Sequence, residues 1–169
     1  MASSTQNVKI GVCKITFGDQ DLGYTKGGVE VEVATETHSV TVDQHGNTPI
    51  SQYIMGRSIV VRAPLAETTI DNLAATMPGT LVEGTTQKKA TVSTGIGTDL
   101  RSIAQELRLH PVGVAESDAS EDLVIPLAAT SGAMTFAYRL DEERIFNVEF
   151  NGYPNEEGQL FYIGPDTAA

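Results

Sequence analysis

Residues 28–67 read GVEVEVATETHSVTVDQHGNTPISQYIMGRSIVVRAPLAE, and this stretch decides the fold. Valines alternate with acids at its start, and apolar residues alternate with polar ones again near its end. This period of two is typical of strands that have one dry face and one wet face. The first run covers residues 29–42 and is much longer than the usual strand of about 5–6 residues. A hairpin this long exceeds what a small monomer can bury, so it predicts a surface that meets other copies of the chain.

A polar loop from Asp43 to Gly56 is predicted to join the two strand-like runs. Loops longer than about 12–15 residues are uncommon in compact domains and are often functional. Turn residues in this loop stand among apolar ones that need cover, and a neighbouring subunit can provide it. The residues predicted to make this inter-subunit contact are Asp43, Gly46, Pro49, Ile50, Tyr53, Ile54 and Met55.

One helix is predicted, from about Ala66 to Met77. Apolar residues recur through it at helical spacing, Glu67 suits its first turn, and Pro78 ends it. Other strand-like runs outnumber helical ones along the chain. The predicted fold is therefore mainly β, a β-sandwich or β-barrel with one flanking α-helix and a long hairpin arm. The predicted outer face of the helix carries Thr68, Asp71, Asn72 and Thr76.

The length of 169 residues fits a single domain over residues 1–169, with a flexible N-terminal arm at residues 1–7 and a C-terminal tail at residues 164–169. No apolar stretch approaches the roughly 18 residues that span a bilayer, so no membrane insertion is expected. The N-terminus lacks the pattern of a secretory signal. The single cysteine, Cys13, cannot form an internal disulfide, which favours folding in a reducing cytoplasm.

The formal net charge is −11, and the charged residues are distributed unevenly along the chain. Residues 1–112 hold 11 acids and 9 bases, whereas residues 113–169 hold 11 acids and 2 bases. Such a chain has no basic patch with which to bind nucleic acid, and its negative charge repels phosphate. Most of the late acids fall in predicted loops, among them residues 113–122, where side chains are usually solvated.

No residue pattern indicates catalysis, a cofactor or a metal site, so no enzyme activity is expected. His38, His45 and His110 lie far apart, without zinc-ligand spacing, and a solvated or hydrogen-bonded role fits each of them. Cys13 lies in an apolar run, which favours a small core residue over an activated thiol.

Glu30 and Glu32 are the acids most relevant to function, because alternation puts both on the same strand face. A hydrolytic carboxylate pair needs a cleft and a raised pKa, and nothing in the surrounding sequence indicates a cleft. The simple interpretation is a wet sheet face. A sharper, non-catalytic one is that this face lines a channel, with Glu30 and Glu32 facing the lumen.

Several short motifs resemble those of the tail tube (major tail) proteins of long-tailed bacteriophages, over nearly the whole chain. The first set surrounds the long hairpin, and the second set lies near the C-terminus. The motifs are VDQHGNTPI at 42–50, GR at 56–57, PLAET at 64–68, FAY at 136–138, ERIF at 143–146, FNGYP at 150–154 and FYIG at 161–164.

The resemblance implies a tail-tube-like β-sandwich or barrel that assembles into hexameric rings. The rings stack into a tube in the virion tail, after synthesis in the host bacterial cytoplasm, and DNA passes through the lumen during ejection. The implied partners are further copies of the chain, the tape measure, terminator and distal tail or baseplate proteins, and DNA in non-specific transit. The loop from Asp43 to Gly56 is implied to contact neighbouring subunits and neighbouring rings.

Three alternatives remain open from the sequence. A tube protein of a bacterial contractile injection or secretion system shares the expected fold but carries protein cargo. An acidic β-sandwich decoration module would bind a capsid or host surface without forming tubes. A small β-barrel enzyme using the paired acids is the third.

Overall fold

The computed structural model of the protein describes Lys9 and residues 11–166. Strands hold 46% of the chain and helices 6%, which confirms the predicted mainly β fold. The predicted arm at residues 1–7 and the last three residues of the predicted tail lie outside the described residues. The elements are β1 (Cys13–Phe17), β2 (Gln20–Asp21), β3 (Glu30–Val40), β4 (Ser51–Leu65), α1 (Ile70–Thr76), β5 (Thr80–Glu83), β6 (Lys89–Val92), β7 (Gln105–Pro111), β8 (Leu123–Thr135), β9 (Phe146–Tyr153) and β10 (Tyr162–Ile163).

Eight strands form one antiparallel sheet in the order β2-β1-β7-β8-β9-β4-β3, and β10 pairs with β8. The chain that leaves β2 runs back beside β4, where Thr25 bridges to Leu65. The amide of Ala66 also donates a hydrogen bond of 2.8 Å to the carbonyl of Tyr24. The sheet therefore closes on itself as a barrel, with β3 added as an outer strand. A separate hairpin, β5–β6, contacts α1.

The barrel interior is filled by alternate side chains of the surrounding strands. Phe150 on β9 packs against Phe17 on β1, with 5.0 Å between ring centroids. Burying a large apolar side chain contributes about 1.5–3 kcal/mol to folding, so these residues hold the sheet closed. The β4 residues that are at most 1% exposed are Ile59, Val61, Ala63 and Leu65.

A long arm, defined here as residues 34–58, extends from the barrel as the outer part of the β3–β4 hairpin. The structure corrects the predicted loop between its strands, because β4 begins at Ser51 rather than after Gly56. Tyr53, Ile54 and Met55 therefore lie on a strand. The register shifts between Glu36 and Thr37, which leaves Met55 as an extra residue on β4. This β-bulge interrupts the alternation of apolar and polar residues, which is why the sequence pattern resembles a loop there.

The helix is shorter than predicted and presents a different face to the body. Thr69 caps it, because its side-chain oxygen accepts a hydrogen bond of 3.2 Å from the amide of Asn72, so residues 66–69 lie outside the helix. Asn72 and Thr76, predicted on the outer face, are both buried. The Asn72 amide group donates to the carbonyls of Leu22 (3.0 Å) and Glu67 (2.8 Å). Both partners satisfy a buried polar side chain, and helical periodicity does not reveal Leu22, which lies far away in the sequence.

Gly152 on β9 provides a test of the core packing. A β-carbon at this position would overlap Cγ2 of Ile59 and lie 3.0 Å from Cγ2 of Ile125. Overpacking of this kind typically costs about 1–3 kcal/mol, so Gly152→Ala is expected to lower the free energy of unfolding by that amount. The measurement is urea denaturation, with Gly56→Ala as the control because nothing lies within 4 Å of its added carbon. Equal stability of the two variants would contradict the packing described for Gly152.

Candidate functional site

The first candidate surface is an acidic face on the outside of the barrel, formed by Glu30, Glu32, Arg62 and Glu149. Strand register builds it, because Arg62 on β4 lies directly opposite Glu30 on β3 and Glu149 on β9. Arg62 alternates with the buried Val61 and Ala63, so its side chain must point away from the core. Three carboxylates therefore surround one guanidinium group.

The distances define a compact ion-pair network. Arg62 Nη1 donates to Glu32 Oε2 at 2.7 Å and lies 4.0 Å from Glu30 Oε2, while Nε lies 3.3 Å from Glu149 Oε2. The hydrogen bond to Glu32 is the main cause that raises the pKa of Arg62, and the charges of all three carboxylates add to it. The side chains of Glu32, Arg62 and Glu149 are about half exposed to solvent and that of Glu30 is more exposed, so each pair contributes little to stability.

A groove of about 1000 Å³ runs along this face. Glu30, Arg62 and Glu149 line it together with Asn147 and Thr135. Glu30 and Glu32 thus share one face, as predicted, and a groove that the sequence pattern does not indicate lies beside Glu30. The sequence analysis missed Arg62 and Glu149, although alternation along their strands places both on the wet side.

The second candidate surface is the arm patch, defined as Ile50, Tyr53, Ile54 and Met55. All four side chains are more than half exposed. Tyr53 pairs with His38 and Ile54 with Thr37, so successive residues of the patch point to opposite faces of the ribbon. Within the described residues, the part of β4 before Ile59 pairs only with β3. Among the described residues, nothing buries the patch on either face of the ribbon.

The turn of the arm holds the other residues predicted for inter-subunit contact. Asp43 begins a short 3-10 turn that Gly46 ends with a positive φ of 60°, and the Gly46 amide donates to the Asp43 carbonyl at 3.2 Å. The amide of Ile50 donates to the Val40 carbonyl at 2.9 Å and closes the turn. Pro49 is exposed between these bonds. These residues lie together at the end of the arm, and their contact with a neighbour stays a prediction.

A buried side-chain hydrogen bond links β7 to the end of the acidic segment, defined as residues 113–122. His110 Nδ1 lies 2.5 Å from Oδ1 of Asp122, and His110 Nε2 lies 3.3 Å from the carbonyl oxygen of Val114. Arg108 Nη1 lies 3.9 Å from the other carboxylate oxygen. The expectation that acids in this segment are solvated is wrong for Asp122, which is 2% exposed. The pair anchors the acidic segment to the barrel.

The geometry gives little support for a metal site or for a reactive cysteine nucleophile. Within Lys9 and residues 11–166, no group of three or more His, Cys, Asp or Glu side chains could hold a metal ion. Cys13 is half-buried against the core, and burial raises the pKa of its thiol, which disfavours the reactive thiolate. The two outer surfaces remain the strongest functional features of the described chain.

No protein-family model matches the chain, and no curated protein matches it. Among the residues that the structure describes, no helix is both long and apolar enough to cross a bilayer. The shape and charge of the acidic face and the arm patch are therefore what points to a function.

Asp122→Ala tests the buried pair of His110 and Asp122. The substitution leaves His110 buried without its carboxylate partner, and an unsatisfied buried hydrogen-bonding group typically costs about 1–3 kcal/mol. Urea denaturation at neutral pH is expected to show this loss in the free energy of unfolding. Glu116→Ala is the control, because Glu116 belongs to the same segment but its side chain is 83% exposed. If both variants unfold at the wild-type midpoint, Asp122 does not anchor the segment.

Proposed function

We propose that the protein is a structural subunit that assembles into stacked hexameric rings, forming a phage tail tube through which DNA passes during ejection. The observation that carries this proposal is the arm patch, a set of apolar side chains exposed on both faces of a ribbon that projects from an acidic barrel. Its place of action is the virion tail.

The arm patch needs cover from another molecule. A two-stranded ribbon without packing on a face is at best marginally stable in water, and exposed apolar clusters mark interaction surfaces. Because the patch points to both faces, one flat partner surface covers only half of it. Insertion between two neighbouring subunits covers both halves, as stacked rings allow.

Charge supports a second copy of the chain as the partner. The formal net charge of −11 makes two barrels repel each other, whereas the arm carries only the acids Glu36 and Asp43 and the base Arg57. The arm is thus the part of one molecule that can approach another with the least repulsion. Contact through arms brings acidic barrels together at limited electrostatic cost.

The open edge of β3 supports assembly into a closed ring. In the described chain, β3 pairs with β4 alone, so its outer backbone groups from Glu30 to Val40 are free to pair with a strand of another subunit. An exposed edge of this length invites further pairing, and closure into a ring removes it. The acidic face begins on the same strand, so ring closure through β3 would bring the acidic faces of neighbouring subunits side by side.

The acidic face suits the wall of a channel for DNA. Three carboxylates against one guanidinium give it a net negative charge, and a concave negative surface repels phosphate. Duplex DNA would therefore slide past such a wall without being held. At the ends of the tube, the tape measure, terminator and distal tail or baseplate proteins would be the further partners.

Substitution in the arm patch tests assembly. Ile54→Asp combined with Met55→Asp removes apolar burial of about 1.5–3 kcal/mol per side chain from the proposed interface. Because about 1.4 kcal/mol corresponds to a factor of ten, the concentration needed for assembly is expected to rise at least tenfold while the barrel stays folded. Negative-stain microscopy and analytical sedimentation of the purified protein report rings and tubes.

Leu140→Asp is the matched control, because Leu140 is fully exposed but lies outside the arm. It is expected to assemble like the wild type. Normal tubes from the arm variant would remove the arm patch from the interface. A wild-type protein that stays monomeric at high concentration would overturn the proposed function itself.

A further inference from the structure

We infer that Glu30, Glu32 and Glu149 are specificity-determining residues of the acidic face, because they hold Arg62 so that it does not capture phosphate. This inference rests on the proposed function, in which the acidic face lines a channel for DNA. In that channel, the acidic face must not bind the DNA that passes it. Glu30, Glu32 and Glu149 prevent binding by pairing with Arg62.

Arg62 could bind DNA if it stood alone. A guanidinium group carries five N–H donors in a planar fork that matches the oxygens of a phosphate. The Arg62 side chain is 46% exposed and lines the groove, so an approaching phosphate could reach it. In a ring, the same side chain would be repeated in every subunit, and several weak contacts add up to strong retention.

The carboxylates occupy the directions in which a phosphate would bind. Glu32 accepts a hydrogen bond from Nη1 at 2.7 Å, and the carboxylate of Glu149 lies 3.3 Å from Nε, so two of the three guanidinium nitrogens already face a carboxylate. Glu30 adds a third negative charge 4.0 Å from Nη1. A phosphate must displace these partners and also approach their charge. The network therefore neutralises the cation and leaves the groove negative.

Strand register explains why a cation stands on this face at all. Glu30 and Glu149 flank the position of Arg62 on the two neighbouring strands, and like charges this close on one sheet face repel each other. Arg62 offsets that repulsion and links β3, β4 and β9. Arg62 allows three acids to share the acidic face, and the acids in turn compete with phosphate for the N–H groups of Arg62.

Removal of the carboxyl charges is the test. The variant Glu30→Gln, Glu32→Gln and Glu149→Gln keeps side-chain size but frees the guanidinium group. Purified tubes are mixed with a fluorescent duplex oligonucleotide at low salt, and the bound fraction is measured by sedimentation. The triple variant is expected to retain at least about ten times more DNA than the wild type, with retention falling steeply as salt rises.

Two controls separate the role of Arg62 from a change in total charge. Adding Arg62→Gln to the triple variant is expected to abolish the gain. The variant Asp118→Asn, Glu156→Gln and Glu157→Gln changes the net charge by the same amount on exposed positions away from Arg62, and no gain is expected. Equal retention by the two triple variants, or retention that persists without Arg62, overturns the inference.

The inference and the proposed function fail in different ways. If the wild-type chain forms no tubes, the proposed function fails, and the oligonucleotide is titrated into the unassembled variants by fluorescence anisotropy. An Arg62-dependent gain in binding there supports the screening of Arg62 without a tube, and its absence overturns it. Should the triple variant fold poorly, Glu32→Gln alone, which removes the charge of the closest partner, is expected to give a smaller gain that also depends on Arg62.

Discussion

Burial of one half of β4 in the barrel is the constraint on which the rest of the structure depends. The 15-residue strand places Ile59, Val61 and Ala63 in the core and leaves its first half in solvent. A slip of one residue would turn these apolar side chains outward, so burial fixes the register of β4 against β9 and β3. That fixed register then determines where the arm leaves the barrel and which residues it presents.

The same alternation that fills the core also builds the acidic face. Because Val61 points inward, Arg62 must point outward, where register places it between acids of two other strands. The charge of the acidic face is therefore not independent of the stability of the barrel. A residue cannot be moved from one face to the other without disturbing both the packing of the barrel and the charge of its outer wall.

Buried polar groups join the outer elements to the barrel. Asn72 attaches the helix through a hydrogen bond to the carbonyl of Leu22, which is distant in sequence, and Asp122 attaches the acidic segment through His110. Such groups destabilise a fold when they lack partners and restrict it to one arrangement when they are paired. The helix and the acidic segment thus keep defined positions, whereas the arm has no such attachment to the barrel in the described chain.

The sequence by itself determined the mainly β class, the long hairpin, the single helix and the shared face of Glu30 and Glu32, because periodicity depends only on neighbouring residues. Only the tertiary structure decided the closure of the sheet, the bulge at Met55, the burial of Asp122 and the place of Arg62 among three carboxylates. Each of these depends on partners brought together from distant parts of the chain. The local sequence pattern predicts which side chains of a strand face solvent. Strand order and register determine which residues of other strands lie next to them.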